Sequence, residues 1–247
     1  MKNNNKILVC CAVLEISYLA LSFTLAEVYG QWSFLGELFR TLLRVISIVF
    51  YSYFYQKYFL VEGQTFNAKA ILTPSFCATV SAFLVFAIFY TNAENETLWW
   101  QFVFVISGFA AGLREELFYR GIIQKTLQTK FDYKIGLVMA TMLFTVSHLQ
   151  YIYHGQTYGL ILIAIAGIIF GSIFIYTGSV ALTAVVHGVY DALLSVNLTT
   201  VRISNGAAMP ILGLLMLAFL VLISKKLYVP QSVGNRDNTN SDNLSMS

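Results

Sequence analysis

Eight apolar blocks, each long enough to cross a bilayer as a helix, run through the chain at 7–29, 34–56, 70–90, 98–124, 135–153, 158–176, 179–198 and 207–224. A hydrocarbon core of ~30 Å takes about 20 apolar residues in helical form. Only short polar runs separate the blocks, so the pattern predicts an all-α, polytopic transmembrane helix bundle of about eight spans. A β-barrel is excluded, because its strands would alternate polar and apolar over about ten residues. Charged residues make up 11% of the chain against 57% hydrophobic, and mean hydropathy is +0.70. Soluble domains are about a quarter charged, so this chain cannot solvate a globular surface of its size.

The polar punctuation carries topology. Lys2 and Lys6 precede the first span, Lys57 and Lys69 lie between the second and third, and Lys125, Lys130 and Lys134 lie between the fourth and fifth. Lys225, Lys226 and Arg236 follow the last span, whereas Arg202 is the only basic residue in the alternate connections. Basic flanks favour the cytoplasmic side, which predicts an integral protein of the cell membrane with both termini in the cytoplasm. The net charge of +3 is thereby read as topology, and no nucleic-acid partner is implied. The first apolar run exceeds the h-region of a cleaved signal (about 7–15 residues) and is expected to be retained. One helical domain is expected over 1–228, followed by a disordered cytoplasmic tail, 229–247, rich in Asn, Ser and Asp. Cys10, Cys11 and Cys77 sit in apolar stretches and are expected to be reduced, buried fillers.

Ionisable residues inside spans are costly and need a partner, a wet cavity or a task. In the first two spans, Glu37, Arg40 and Arg44 share a helix face by their i,i+3 and i,i+4 spacings, and the group is expected to pair with Glu15 or Glu27 across the bundle. In the fourth span, small residues at Gly108, Ala111 and Gly112 permit close helix approach just before Arg114-Glu115-Glu116-Leu117-Phe118-Tyr119-Arg120. Glu116 and Arg120 are spaced for an ion pair, which leaves Glu115 on a neighbouring face for chemistry or for a second partner. Adjacent helical residues point about 100° apart, so the two carboxylates are not expected to face one spot squarely.

Two further spans contribute histidines. His148 ends Leu143-Phe144-Thr145-Val146-Ser147-His148, and His187 is i,i+4 from Asp191. A carboxylate, two imidazoles and a second carboxylate from three spans form the inventory needed to activate a water in a dry interior, either beside a metal or by general-base catalysis with oxyanion donors. Counted from the cytoplasmic side, His187 and the glutamates lie roughly 12–14 Å deep and His148 roughly 20 Å, a mismatch of a turn or more. His154, beside Gly155, is expected in a solvated outer turn.

These residues resemble the CAAX prenyl protease and bacteriocin-processing (CPBP, Abi) family of intramembrane proteases. The family pattern is Glu-Glu-x-x-x-Arg, then Phe-x-x-x-His, then His-x-x-x-Asn/Asp, on separate helices. It occurs here in order at Glu115-Glu116…Arg120, Phe144…His148 and His187…Asp191. The resemblance covers roughly 108–195 and implies a water activated by Glu115 with His148, and an oxyanion stabilised by His187 and the residue at Asp191, with Glu116, Arg120 and Phe144 supporting. It implies a peptide or protein substrate at the lipid bilayer. Both a zinc site formed by Glu115, His148, His187 and Asp191 and a metal-free glutamate mechanism are compatible with it, and the residues leave the choice open. Asp where prenyl proteases carry Asn favours the metal slightly, since an ionised Asp191 would repel an oxyanion.

The expected function is an intramembrane endopeptidase acting on a membrane-associated protein or peptide precursor. A non-catalytic membrane binding protein with the same fold, such as a bacteriocin immunity factor or signalling regulator, is the alternative. A proton-coupled transporter is a further one, disfavoured by the absence of paired, broken helices in related halves.

Overall fold

The computed structural model describes residues 2–30, 33–60, 71–90, 98–196, 198–199 and 201–228. Among these all regular structure is helical, as the apolar blocks require. The helices are α1 Lys2–Tyr29, α2 Phe34–Phe54, α3 Pro74–Tyr90, α4 Leu98–Glu115, α5 Lys125–Lys130, α6 Tyr133–Val146, α7 Gln150–Tyr153, α8 Thr157–Thr177, α9 Val180–Leu194 and α10 Asn205–Tyr228. Two π-helical stretches extend them: π1 Tyr55–Phe59 continues α2, and π2 Glu116–Gln124 joins α4 to α5. The tail expected at 229–247 lies outside the described residues.

Breaks fall where the sequence supplies caps. Gly178 ends α8 in the left-handed conformation at φ 70°, its N–H reaching Phe174 O at 2.8 Å, and Ser179 then caps α9 by accepting from Leu182 N at 3.1 Å. Asp132 caps α6 through Ile135 N at 2.8 Å. The block expected at 135–153 is interrupted: α6 stops at Val146, and His148 lies in the turn before α7. The block expected at 98–124 instead runs on to Lys130.

Among the described residues, four segments are both long and apolar enough to cross a membrane: Asn5–Tyr29, Tyr133–Tyr153, Thr157–Thr177 and Asn205–Lys225. Pro74–Tyr90 and Val180–Leu194 are apolar but shorter. Helices α2 and α4 carry charged residues within the bundle, Glu37, Arg40 and Arg44 on α2 and Arg114 and Glu115 on α4. Burial is inverted relative to a soluble protein: Leu214 and Ile16 are each 67% exposed, whereas Arg114, Glu116 and Arg120 are at most 1% exposed. An outer apolar surface suits hydrocarbon, and charges are gathered inside, where protein partners replace water. This is an integral membrane protein. Of the cysteines, Cys11 is buried, but Cys10 and Cys77 face outward, and all three are free.

Helix α4 is central, with α2 on one flank and α9 on the other, while α3 and α8 pack against α9 and α10 packs on α3 and α8. The α4–α9 contact is set by glycine. A Cβ at Gly112 would lie 2.7 Å from Gly188 N, and one at Gly188 would lie 2.9 Å from the Phe109 ring. Main chains this close leave no room for a side chain on either helix. Gly112→Ala is therefore expected to lower thermal stability in detergent by about 1–3 kcal/mol. The matched control Gly213→Ala, with nothing within 4 Å, should be neutral or slightly stabilising. Equal melting temperatures for Gly112→Ala and the parent would contradict this packing.

Candidate active site

The site grows out of that close approach. Gly108 meets Asp191, with its added Cβ 3.1 Å from Asp191 Cβ, and Gly112 meets the backbone of His187 and Gly188. One helical turn further along, α4 changes to π2 at Glu116, where Lys125 N–H reaches back five residues to Arg120 O. The i→i+5 pattern widens the turn and reduces the rotation between neighbouring residues. The outcome differs from the α-helical expectation, because both carboxylates reach one imidazole. Glu116 Oε1 is 2.9 Å from His187 Nδ1, and Glu115 Oε2 is 3.9 Å from His187 Nε2. Asp191 Oδ2 stands 3.5 Å from the same Nε2, as the i,i+4 spacing required.

Behind the imidazole, Glu116 is fully buried and its Oε2 accepts from Arg120 Nε at 3.2 Å. Arg120 Nη2 donates to Gly167 O at 3.0 Å, which ties π2 to α8. A buried carboxylate is stable there only because a guanidinium and an imidazole both face it. Phe170 stacks on His187 at 3.9 Å and 21° between planes, fixing the ring from the α8 side. Phe144 is a wedge between the two histidines, 4.7 Å from His148 and 6.1 Å from His187, with Arg120 5.3 Å from its ring.

His148 is oriented by its own turn. Its Nδ1 lies 2.8 Å from Phe144 O, and a carbonyl only accepts, so Nδ1 carries the proton. Nε2 is left for the cavity that His148 lines. That cavity, of about 1010 Å³, is also lined by Glu115, His187, Asp191 and Tyr151, and reaches Arg40 and Arg44 on α2. Glu116 and Arg120 are absent from its walls and stand behind His187. The break in α6 places His148 at this cavity, despite the depth mismatch counted for an unbroken span.

The remaining charges pair in part as expected: the Glu37, Arg40 and Arg44 group forms on one helix face, but its expected partner Glu15 pairs elsewhere. Glu37 binds Arg40 and Arg44 on its own helix, with Ser107 of α4 bonded to both Glu37 and Arg44. Glu15 pairs with Arg114 at 2.6 Å rather than with Arg40 or Arg44. Arg114 Nη2 also holds Glu115 Oε1 at 3.1 Å. Phe170 was missed in the sequence, because a phenylalanine in an unbroken apolar run carries no distinguishing signal. Arg114 and Glu15 were visible as intramembrane charges, but their pairing across 99 positions was not. His154 is exposed in a turn, as expected.

The four donors considered for zinc, Glu115, His148, His187 and Asp191, do not converge on an ion. Among the described residues, no group of three or more His, Cys, Asp or Glu side chains could hold a metal. What the arrangement offers is a buried carboxylate with one oxygen pinned, an imidazole across a cavity held through Nδ1 by a carbonyl, and a second imidazole backed by carboxylates. Carboxylates and imidazoles facing one cavity are groups that can accept and donate protons.

No curated protein and no solved structure matches the chain. A family model does match, over residues 95–193, and this segment holds Glu115, Glu116, Arg120, His148, His187 and Asp191 together. That segment is similar to the family described as "Type II CAAX prenyl endopeptidase Rce1-like", in the family group that the three motifs resemble.

Proposed function

We propose that the chain is an intramembrane endopeptidase in which Glu115 and His148 activate the attacking water. The matched family supports a peptidase, and the observation that carries the mechanism is the shared cavity lined by Glu115, His148, His187 and Asp191. Water held between Glu115 and His148 Nε2 attacks the scissile carbonyl carbon as its proton passes to the Glu115 carboxylate. The carbonyl π electrons move onto oxygen, and Nε2–H of the His187 imidazolium hydrogen-bonds that oxyanion. Glu116, bonded at Nδ1, holds the ring in place and balances its charge. The tetrahedral intermediate then collapses, the C–N bond breaks, and the proton on Glu115 is delivered to the departing nitrogen. Asp191 flanks Nε2 and orients it, a role that an amide could also fill.

The substrate is a peptide segment delivered from or through the bilayer, since the cavity is enclosed by spanning helices. The matched family's description makes a prenylated C-terminal peptide the first candidate to try, with peptide precursors the second. The basic flanks support an orientation in the cell membrane with both termini in the cytoplasm and α5 at the cytoplasmic face.

Two outcomes test this reading on protein purified into lipid nanodiscs and offered a library containing prenylated and unmodified peptides. Glu115→Gln should reduce kcat about 10²–10⁴-fold, and His148→Ala about 10²-fold or more, while Asp191→Asn keeps at least about a tenth of wild-type activity. Cleavage that survives in Glu115→Gln would contradict the assignment. Because the donors do not converge on an ion, cleavage is also expected to persist after exhaustive chelation. Loss that only zinc restores would show that the side chains rearrange around a metal.

A further inference from the structure

We propose that Glu15, on α1 and outside the segment matched to the family, is a positioning residue for Glu115 that acts through Arg114. The inference rests on Glu115 being the water-activating carboxylate and adds a helix to the working site. Arg114 is 1% exposed and lies between two carboxylates, with Nη1 on Glu15 Oε2 at 2.6 Å and Nη2 on Glu115 Oε1 at 3.1 Å. Glu15 is itself held by two further donors, the Tyr51 hydroxyl at 2.8 Å and the Tyr119 hydroxyl at 2.9 Å. The Tyr18 ring lies 3.8 Å from the guanidinium carbon and closes the remaining side.

Two consequences follow for Glu115. The first is geometric: a guanidinium anchored by Glu15 and packed on Tyr18 is a fixed post, so Glu115 Oε1 is pinned and Oε2 is turned toward His187 and the cavity. The second is electrostatic. In a dry interior the single positive charge of Arg114 is divided between two carboxylates, which leaves Glu115 paired but not fully neutralised. Without the charge on Glu15, the whole guanidinium charge would fall on Glu115. The carboxylate would then be held more firmly as the anion and would be a poorer proton acceptor. A merely structural ion pair between α1 and α4 would not couple to Glu115, whereas here the same guanidinium touches both.

The test is Glu15→Gln, which keeps the side-chain shape and one acceptor oxygen, turns an amide N–H toward the other tyrosine oxygen and removes the charge, measured alone and with Arg114→Gln. For peptide cleavage in nanodiscs, kcat should fall about 10-fold or more with KM unchanged within about twofold, since no substrate contact is lost. Against the Arg114→Gln background, the same substitution should have no further effect. A substrate-free arm follows covalent labelling of Glu115 by dicyclohexylcarbodiimide, which reacts with the protonated carboxyl, by mass spectrometry. Labelling should slow at least about threefold in Glu15→Gln and be equal in Arg114→Gln and the double variant. Should Glu15→Gln not accumulate, Glu15→Asp, one methylene short, should give the same signs at smaller size. Wild-type kcat and labelling in the Glu15 variants, or an equal effect without Arg114, would overturn the proposal. If the wild type cleaves no peptide, the peptidase reading fails, and the labelling arm still decides the role of Glu15.

Discussion

Hydrocarbon cannot solvate a charge, and most of this structure follows from where the charges are therefore put. Glu116 and Arg120, fully buried, and His187, which also lines the cavity, form a set linking π2, α9 and, through Gly167 O, α8. Removing one member of such a buried set costs about 3–5 kcal/mol, because the others are left uncompensated. The set acts as a positional lock. Three helices must be in register for any of its members to be satisfied, and that register brings Glu115 and Asp191 to the remaining nitrogen of the same ring. The residues that face the cavity are thus placed by residues that do not.

The lock depends on close main-chain approach. Ion pairs at 2.9–3.2 Å between α9 and π2, and within π2, require α4 and α9 to touch without intervening side chains, and Gly112 against Gly188 provides that. Phe170 and Phe144 then fill the space around the two imidazoles, so that neither ring can rotate freely. Apolar packing and charge pairing are not separate contributions here. The glycines permit the ion pairs, and the ion pairs oppose separation of the helices in a medium where apolar surface alone gives little drive to associate.

Much of the fold was legible, because span-length apolar blocks and their polar punctuation are direct consequences of bilayer thickness. The separation of α8 from α9 falls where the apolar blocks were divided, between 176 and 179, and the structure shows its cause in the left-handed Gly178 and the Ser179 cap. The interruption after Val146 was not, since Ser147-His148-Leu149 remains apolar enough to continue a helix. The π-helical stretch was also hidden: Glu116 and Arg120 suit an ordinary i,i+4 pair, and nothing in the sequence announces the wider turn that brings both glutamates to His187. At the site, i,i+4 arithmetic predicted Glu116 with Arg120 and His187 with Asp191, both local relations. Glu15 with Arg114 is a long-range relation, and one sequence alone does not encode which buried charge finds which. Phe170 shows the same limit for packing.

The account stands on Glu115, His148, His187 and Asp191 sharing one hydrated pocket inside the membrane. A high-resolution experimental structure in lipid nanodiscs tests this most directly. It should show His187 bridged to Glu116, with at least one ordered water within hydrogen-bond reach of both Glu115 and His148. Finding His148 turned out to lipid, or acyl chain density filling the space between it and Glu115, would contradict the account.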